Sequence, residues 1–141
     1  MTSPKETFMS APITNEAPPI GLTVVDLEAS AAFFTPLFGW REVRRNEDYP
    51  AIYASDGTTM ETLWVTREEP SIPFDKNRNV GLHHVAFQVN DEADLHALHQ
   101  RLAVNGTKIE FGPEPLRNGS HLMCHEPSGI RVEFIWPGTT N

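Results

Sequence analysis

Between Ile20 and Trp136 one pattern of residues occurs twice, and a duplicated pattern restricts the fold more tightly than composition does. In the first copy, Ile20-Gly21-Leu22-Thr23-Val24 alternates apolar with small or polar residues, the period of a half-buried strand. Asp26 follows as an N-cap candidate. Leu27, Ala31, Phe34 and Phe38 then fall on one stripe of an amphipathic helix. Gly39 stops that helix, and Pro36 tightens its last turn. Extended segments are expected at 40–46, 50–55 and 59–66, with turns at Tyr49-Pro50 and Asp56-Gly57. In the second copy, a strand within Gly81–Val89 leads to Asp91 in the place of Asp26. Leu95, Leu98 and Leu102 mark the second helix, which ends at Gly106. Strands are expected at 107–111, 119–124 and 130–136. The closing strands of the two copies can be superposed by eye. Gly57 precedes Glu61 by four residues and Trp64 by seven, as Gly129 precedes Glu133 and Trp136. Each copy therefore reads as a βαβββ module.

This pattern divides the chain into a flexible arm at 1–18, a first module at 19–66, a linker at 67–79 and a second module at 80–137. Strand side chains alternate between faces. Ile20, Leu22 and Val24, matched by Val85, Phe87 and Val89, form a greasy face for the helices. Pro19, Gly21 and Thr23, matched by His84, Ala86 and Gln88, form the other face. In the closing strands, Thr59, Glu61 and Leu63 match Arg131, Glu133 and Ile135 and share that wetter face. Carboxylates are costly on the inside of a curved sheet unless something pairs with them, and a metal ion is one such partner.

With 11 basic against 19 acidic residues the net charge is −8, which argues against a nucleic-acid partner. No apolar run has the length of a membrane span. Cys124 is the single cysteine, so no intrachain disulfide and no cysteine-rich zinc cage is expected. The N-terminus lacks the apolar stretch of a signal peptide, and the expected location is cytoplasmic. Phosphate-binding loops, nucleophile elbows and dinucleotide fingerprints are missing from the sequence.

Several segments resemble the vicinal oxygen chelate superfamily, which includes glyoxalase I, extradiol dioxygenases and fosfomycin and bleomycin resistance proteins. They are Leu22–Leu27, Ser30–Phe34 with Leu37-Phe38-Gly39-Trp40, His84–Val89, and Glu126-Pro127-Ser128-Gly129-Ile130-Arg131-Val132-Glu133. The resemblance spans residues 19–137 and implies an α+β fold. Two tandem modules would form a curved, half-open, eight-stranded mixed sheet around a cavity, with the helices outside. Metal-using members draw ligands from the first and last strands of each module. The matching positions here are Pro19, Glu61, His84 and Glu133, of which Pro19 cannot bind a metal. His121, on the strand beside Glu133, is the substitute ligand or proton carrier.

The resemblance thus implies a glyoxalase-like lyase or isomerase acting on a small oxygenated substrate. His84, Glu133 and Glu61 would hold a divalent ion (Zn, Ni, Mn, Fe or Mg), and Glu61 or His121 would move the proton. Arg131, Gln88 and Thr23 are the candidate substrate contacts. The alternative is a metal-free protein that sequesters a ligand, as bleomycin-resistance members do. An extradiol-type dioxygenase with an altered iron site is a further alternative. Members of this superfamily commonly pair, so a homodimer is expected.

Overall fold

The computed structural model describes Ile13 and residues 20–139; the remainder of the arm at 1–18, and Pro19, lie outside the described residues. Each half runs strand, helix, three strands. The first comprises β1 (Ile20–Val24), α1 (Leu27–Phe38), β2 (Arg41–Asn46), β3 (Ala51–Ser55) and β4 (Met60–Val65). The second comprises β5 (Val85–Gln88), α2 (Glu92–Val104), β6 (Lys108–Leu116), β7 (Gly119–His125) and β8 (Arg131–Trp136).

Both helices start as the sequence predicts. The Asp26 carboxylate accepts from the Ala29 N–H, and the Asp91 carboxylate accepts from the Asp94 N–H. Gly39 ends α1 in the left-handed region, at φ 76°. The eight strands divide four and four, in the orders β1-β4-β3-β2 and β5-β8-β7-β6. In each sheet the first and last strands pair in parallel and the other pairs are antiparallel. Both sheets are open, with helices against one face of each, and the architecture is α+β.

The helix-covered faces meet in one apolar core shared by both halves. Phe34 of α1 packs edge-on against Phe87 of β5, and Phe38 packs against Phe134 of β8 at 4.7 Å between ring centres. Leu22, Val24, Ile52 and Leu63 enter this core from the first half, and Leu95, Leu102, Leu122, Val132 and Cys124 from the second. Burial pushes the Cys124 thiol up to about 12, so it behaves as a small apolar residue. Polar stitches cross the join as well. Ser128 Oγ accepts from the Val25 N–H at 2.9 Å, and Arg101 donates to the Leu37 carbonyl at 3.1 Å.

β6 runs five residues past the expected 107–111. Gly112 and Pro113 disguise it, but irregular register beside β7 accommodates both. Gly112 has φ 92°, and a Cβ there would strike the His121 carbonyl and come within 2.7 Å of Leu122 Cα. Among the described residues no helix is long and apolar enough to cross a membrane.

Candidate functional site

The uncovered face of the second sheet carries a continuous chain of imidazoles and carboxylates. Glu133 of β8 stands at its centre. Its Oε2 lies 2.6 Å from Nδ1 of His121, on the neighbouring strand β7, and its Oε1 lies 3.2 Å from Nε2 of His84. Register explains the meeting. Met123 is directly opposite Glu133 and His121 is opposite Ile135, so His121 and Glu133 are diagonal neighbours on one face. His84 enters from just before β5, whose Ala86 is paired with Glu133.

The chain extends at both ends. His121 Nε2 lies 3.6 Å from a Glu114 carboxylate oxygen on β6. His84 Nδ1 lies 2.8 Å from His83 Nδ1, and Arg131 Nη1 donates to the His83 carbonyl at 3.3 Å. Arg131 is held by Glu110 through two bonds, of 3.0 and 2.8 Å, and Glu110 also meets His125 Nε2 at 2.9 Å. That bidentate pairing, aided by His125, holds the Glu110 carboxyl down at about 2. Desolvation, then the Arg131 charge, lowers His83 below the ordinary histidine range and favours its neutral form.

A single proton arrangement satisfies the central links with neutral rings. His84 Nε2–H donates to Glu133 and His121 Nδ1–H donates to the other Glu133 oxygen, while His83 Nδ1 lies 3.2 Å from Arg131 Nη1, which can only donate. Glu133 is then a carboxylate with two imidazole donors, and His121 Nε2 is left with its lone pair toward Glu114. Exposure grades along the chain: the side chains of Glu133 and His121 are 10% and 13% exposed, that of His84 34%. A small molecule therefore meets His84 first and the Glu133 carboxylate behind it.

Glu61 is elsewhere, which corrects the expectation that it shares this face. It is fully buried on the core side of β4, with Leu63 two residues along. The reason is a turn. β3 and β4 are joined by residues 56–59, between the paired Ser55 and Met60, whereas β7 and β8 are joined by 126–130, between the paired His125 and Arg131. The first turn is one residue shorter, so Thr62 holds the place of Glu133. The strand ladders agree: Gly21 pairs with Thr62 as Ala86 pairs with Glu133. Matching the two glycines shifts the comparison by one residue, and such a shift exchanges the faces of a strand.

Both Glu61 carboxyl oxygens are buried without a hydrogen-bond partner among the described residues. Burial, with a smaller contribution from the Glu126 carboxylate, pushes its pKa up to about 8, so the group is neutral at pH 7. Glu126, also fully buried, is supported: Ser30 Oγ of α1 donates to it at 2.6 Å, and the Ser128 and Ile130 N–H groups donate at 2.6 and 3.2 Å.

The remaining candidates occupy separate places. Gln88 is exposed at the end of β5, opposite Ile135. Thr23 is exposed on the first sheet, opposite Trp64, and makes no hydrogen bond to the chain around Glu133. The guanidinium of Arg131 is committed to Glu110 and His83. Glu110, Glu114 and His83 are members of the network that the sequence does not single out. The first two lie on β6, whose Gly-Pro interruption hides its alternation.

The donor set expected to hold a divalent ion, His84, Glu133 and Glu61, is not assembled as a set, because Glu61 lies on the core side of β4. Among the described residues no group of three histidine, cysteine or acidic side chains is arranged to hold a metal ion. Glu133 spends its two oxygens on two imidazoles, and the matching face of the first sheet offers Gly21, Thr23 and Thr62, none with an imidazole or carboxylate.

No curated protein matches the chain in sequence. Solved structures do. A glyoxylase/bleomycin resistance protein/dioxygenase domain from Frankia sp. EAN1pec is 26% identical, covering 87% of this chain and 98% of its own, with a TM-score of 0.79. The fold is shared with the fosfomycin resistance protein FosX from Listeria monocytogenes, at 16% identity, 90% and 96% coverage and a TM-score of 0.71. It is shared too with lactoylglutathione lyase from Agrobacterium tumefaciens, at 21% identity, 86% and 96% coverage and a TM-score of 0.63. A family model matches residues 17–134, and by it the chain belongs to the Glyoxalase/Bleomycin resistance protein/Dioxygenase superfamily.

Proposed function

We propose that this protein is a lyase- or isomerase-type enzyme that moves a proton on a small oxygenated molecule by its own residues, without a resident metal. The observation that carries this reading is the His84–Glu133–His121 chain on an uncovered sheet face. Glu133 is the base. His84 orients one of its oxygens and faces the incoming molecule. His121 holds the other oxygen and has Glu114 behind it. The proton taken from carbon rests on Glu133, with both imidazoles neutral, and is returned from it to the product.

A FosX variant has been solved with Mn(II) and 1S,2S-dihydroxypropylphosphonic acid. That ligand is small and oxygen-rich, which supports the same substrate class here. The test is metal analysis of untagged protein, together with deuterium exchange at carbon beside a carbonyl or hydroxyl in a panel of small 2-oxo and 2-hydroxy compounds. Exchange that withstands chelator and disappears in Glu133→Gln supports the proposal. Stoichiometric metal that is lost in His84→Ala and Glu133→Ala overturns it in favour of a metal enzyme.

A second reading, ligand sequestration, is favoured by the first sheet. Trp64, opposite Thr23 on its uncovered face, packs edge-on against Tyr49 at 5.0 Å and near Tyr53 at 6.1 Å. Such an aromatic wall suits a flat ligand. Tight binding with no exchange or turnover would select this reading. We further infer a homodimer and a domain spanning 19–137 from family membership, and sedimentation of the purified protein tests the pairing.

A further inference from the structure

A second cleft, of about 1390 Å³, opens on another side of the molecule, and neither His84, His121 nor Glu133 lines it. Its floor is an apolar flank of α1, formed by Ala29, Ala32, Phe33 and Pro36. One wall is the segment 72–79, whose Ile72 is 85% exposed and so leaves apolar surface uncovered. The other wall is the end of α2 and the start of β6.

The charge around this apolar floor is mainly positive, with Asp75 the one acidic group set against it among the described residues that is not buried. Lys76, Arg78 and Lys108 line the cleft, and they include two of the chain's three lysines in a protein of net charge −8. Lys76 has a single weak contact, 3.4 Å to the neighbouring Asn77 side chain, and neither Arg78 nor Lys108 has an ion-pair partner among the described residues. The acidic groups at the cleft are already committed: Asp75 accepts from the Asn77 N–H, and Glu126 is buried under Ser30, Ser128 and Ile130. Arg131, at the inner edge, is neutralised by Glu110. His125 belongs to the same pairing.

We propose that this cleft is a binding site for an amphiphilic anion, its apolar body laid along α1 and its acidic head among Lys76, Arg78 and Lys108. Apolar surface supplies the gain from burial, while three cations without carboxylate partners among the described residues supply the preference for negative charge. The site borders the far end of the Glu133 chain at Arg131 and His125, contains none of His84, His121 and Glu133, and does not depend on the reading given to them.

The probe is 8-anilinonaphthalene-1-sulfonate, an anion with an aromatic body, titrated against the whole protein at physiological salt and followed by fluorescence. One saturable site per chain is expected, displaced by decanoate and not by decyltrimethylammonium. Arg78→Glu with Lys108→Glu, both exposed, should weaken binding at least tenfold. Ala32→Trp, which fills the floor from an exposed position and leaves every charge in place, should also weaken it. His121→Ala should bind as the parent does. Circular dichroism confirms that each variant is folded. Absence of saturable binding, equal displacement by the cationic amphiphile, undiminished binding by the charge-reversed protein, or loss in His121→Ala would each overturn the proposal.

Discussion

His121 Nδ1 lies 2.6 Å from Glu133 Oε2, across the β7–β8 ladder on the uncovered face of the second sheet. The contact fixes both the direction of the carboxylate and the tautomer of the ring. Removing the charge at its centre separates chemistry from architecture. Glu133→Gln keeps the shape of the side chain and should lower the rate of proton exchange by at least about a hundredfold. Ligand affinity, measured by calorimetry, should change much less. His121→Asn should show a smaller loss of rate, because it removes a positioning partner and not the base.

The stability of the fold should depend on pH through Glu61. In the unfolded chain this carboxyl titrates at its ordinary value of 4.5, and in the fold at about 8. Between those values the folded protein keeps a proton that the unfolded chain has released, so stability must fall as pH rises. The contribution is complete below pH 4.5, shrinks by about 1.4 kcal/mol per pH unit above it, and is gone beyond pH 8. Glu126, raised mainly by its burial, acts in the same direction. Urea unfolding of the parent and of Glu61→Gln should give similar stabilities near pH 5 and a gap that widens in favour of Gln toward pH 8. A gap independent of pH would show that Glu61 keeps its ordinary titration.

Ser30→Ala tests the join between the halves. The 2.6 Å bond from Ser30 to Glu126 is fully buried, and its loss leaves a buried carboxyl with one donor fewer. A cost of about 1–3 kcal/mol is expected. In a double-mutant cycle with Glu126→Ala the two losses should be less than additive, because both variants remove the same contact.

Gly112→Ala should disturb the site from outside it. At φ 92° an alanine is strained, and its methyl would press on the His121 carbonyl and on Leu122. Destabilisation of about 1–3 kcal/mol is expected, with a shifted His121 imidazole resonance in NMR spectra. An unchanged resonance would mean that β6 relaxes without moving its neighbour.

Much of this was legible in the sequence because much of it is periodic. The stripe of Leu27, Ala31, Phe34 and Phe38, the caps at Asp26 and Asp91, and the paired glycines at 39 and 106 report local physics, and local physics places both helices. His84, Glu133 and His121 were also reachable, since alternation along β8 and adjacency of β7 put them on one face. Glu61 was not. Its face depends on the number of residues in the turn before β4, and no feature of the strand itself reveals that number. Glu110 and Glu114 were hidden for another reason: Gly112, Pro113 and Pro115 interrupt the alternation of β6, and only pairing with β7 shows that the strand continues. The cleft beneath residues 72–79 is assembled from segments distant in sequence, so no local pattern announces it.

The shortened connection at 56–59 has a wider consequence for the molecule. Two copies of one scaffold need not share the work, and here a difference of one loop position is enough to send an acid inward in the first copy while its counterpart strand presents one outward. The first half is thereby left as an aromatic shelf and the second as the face that carries the imidazoles and carboxylates. Lengthening that connection by one residue would turn β4 over and offer the molecule a second carboxylate to work with.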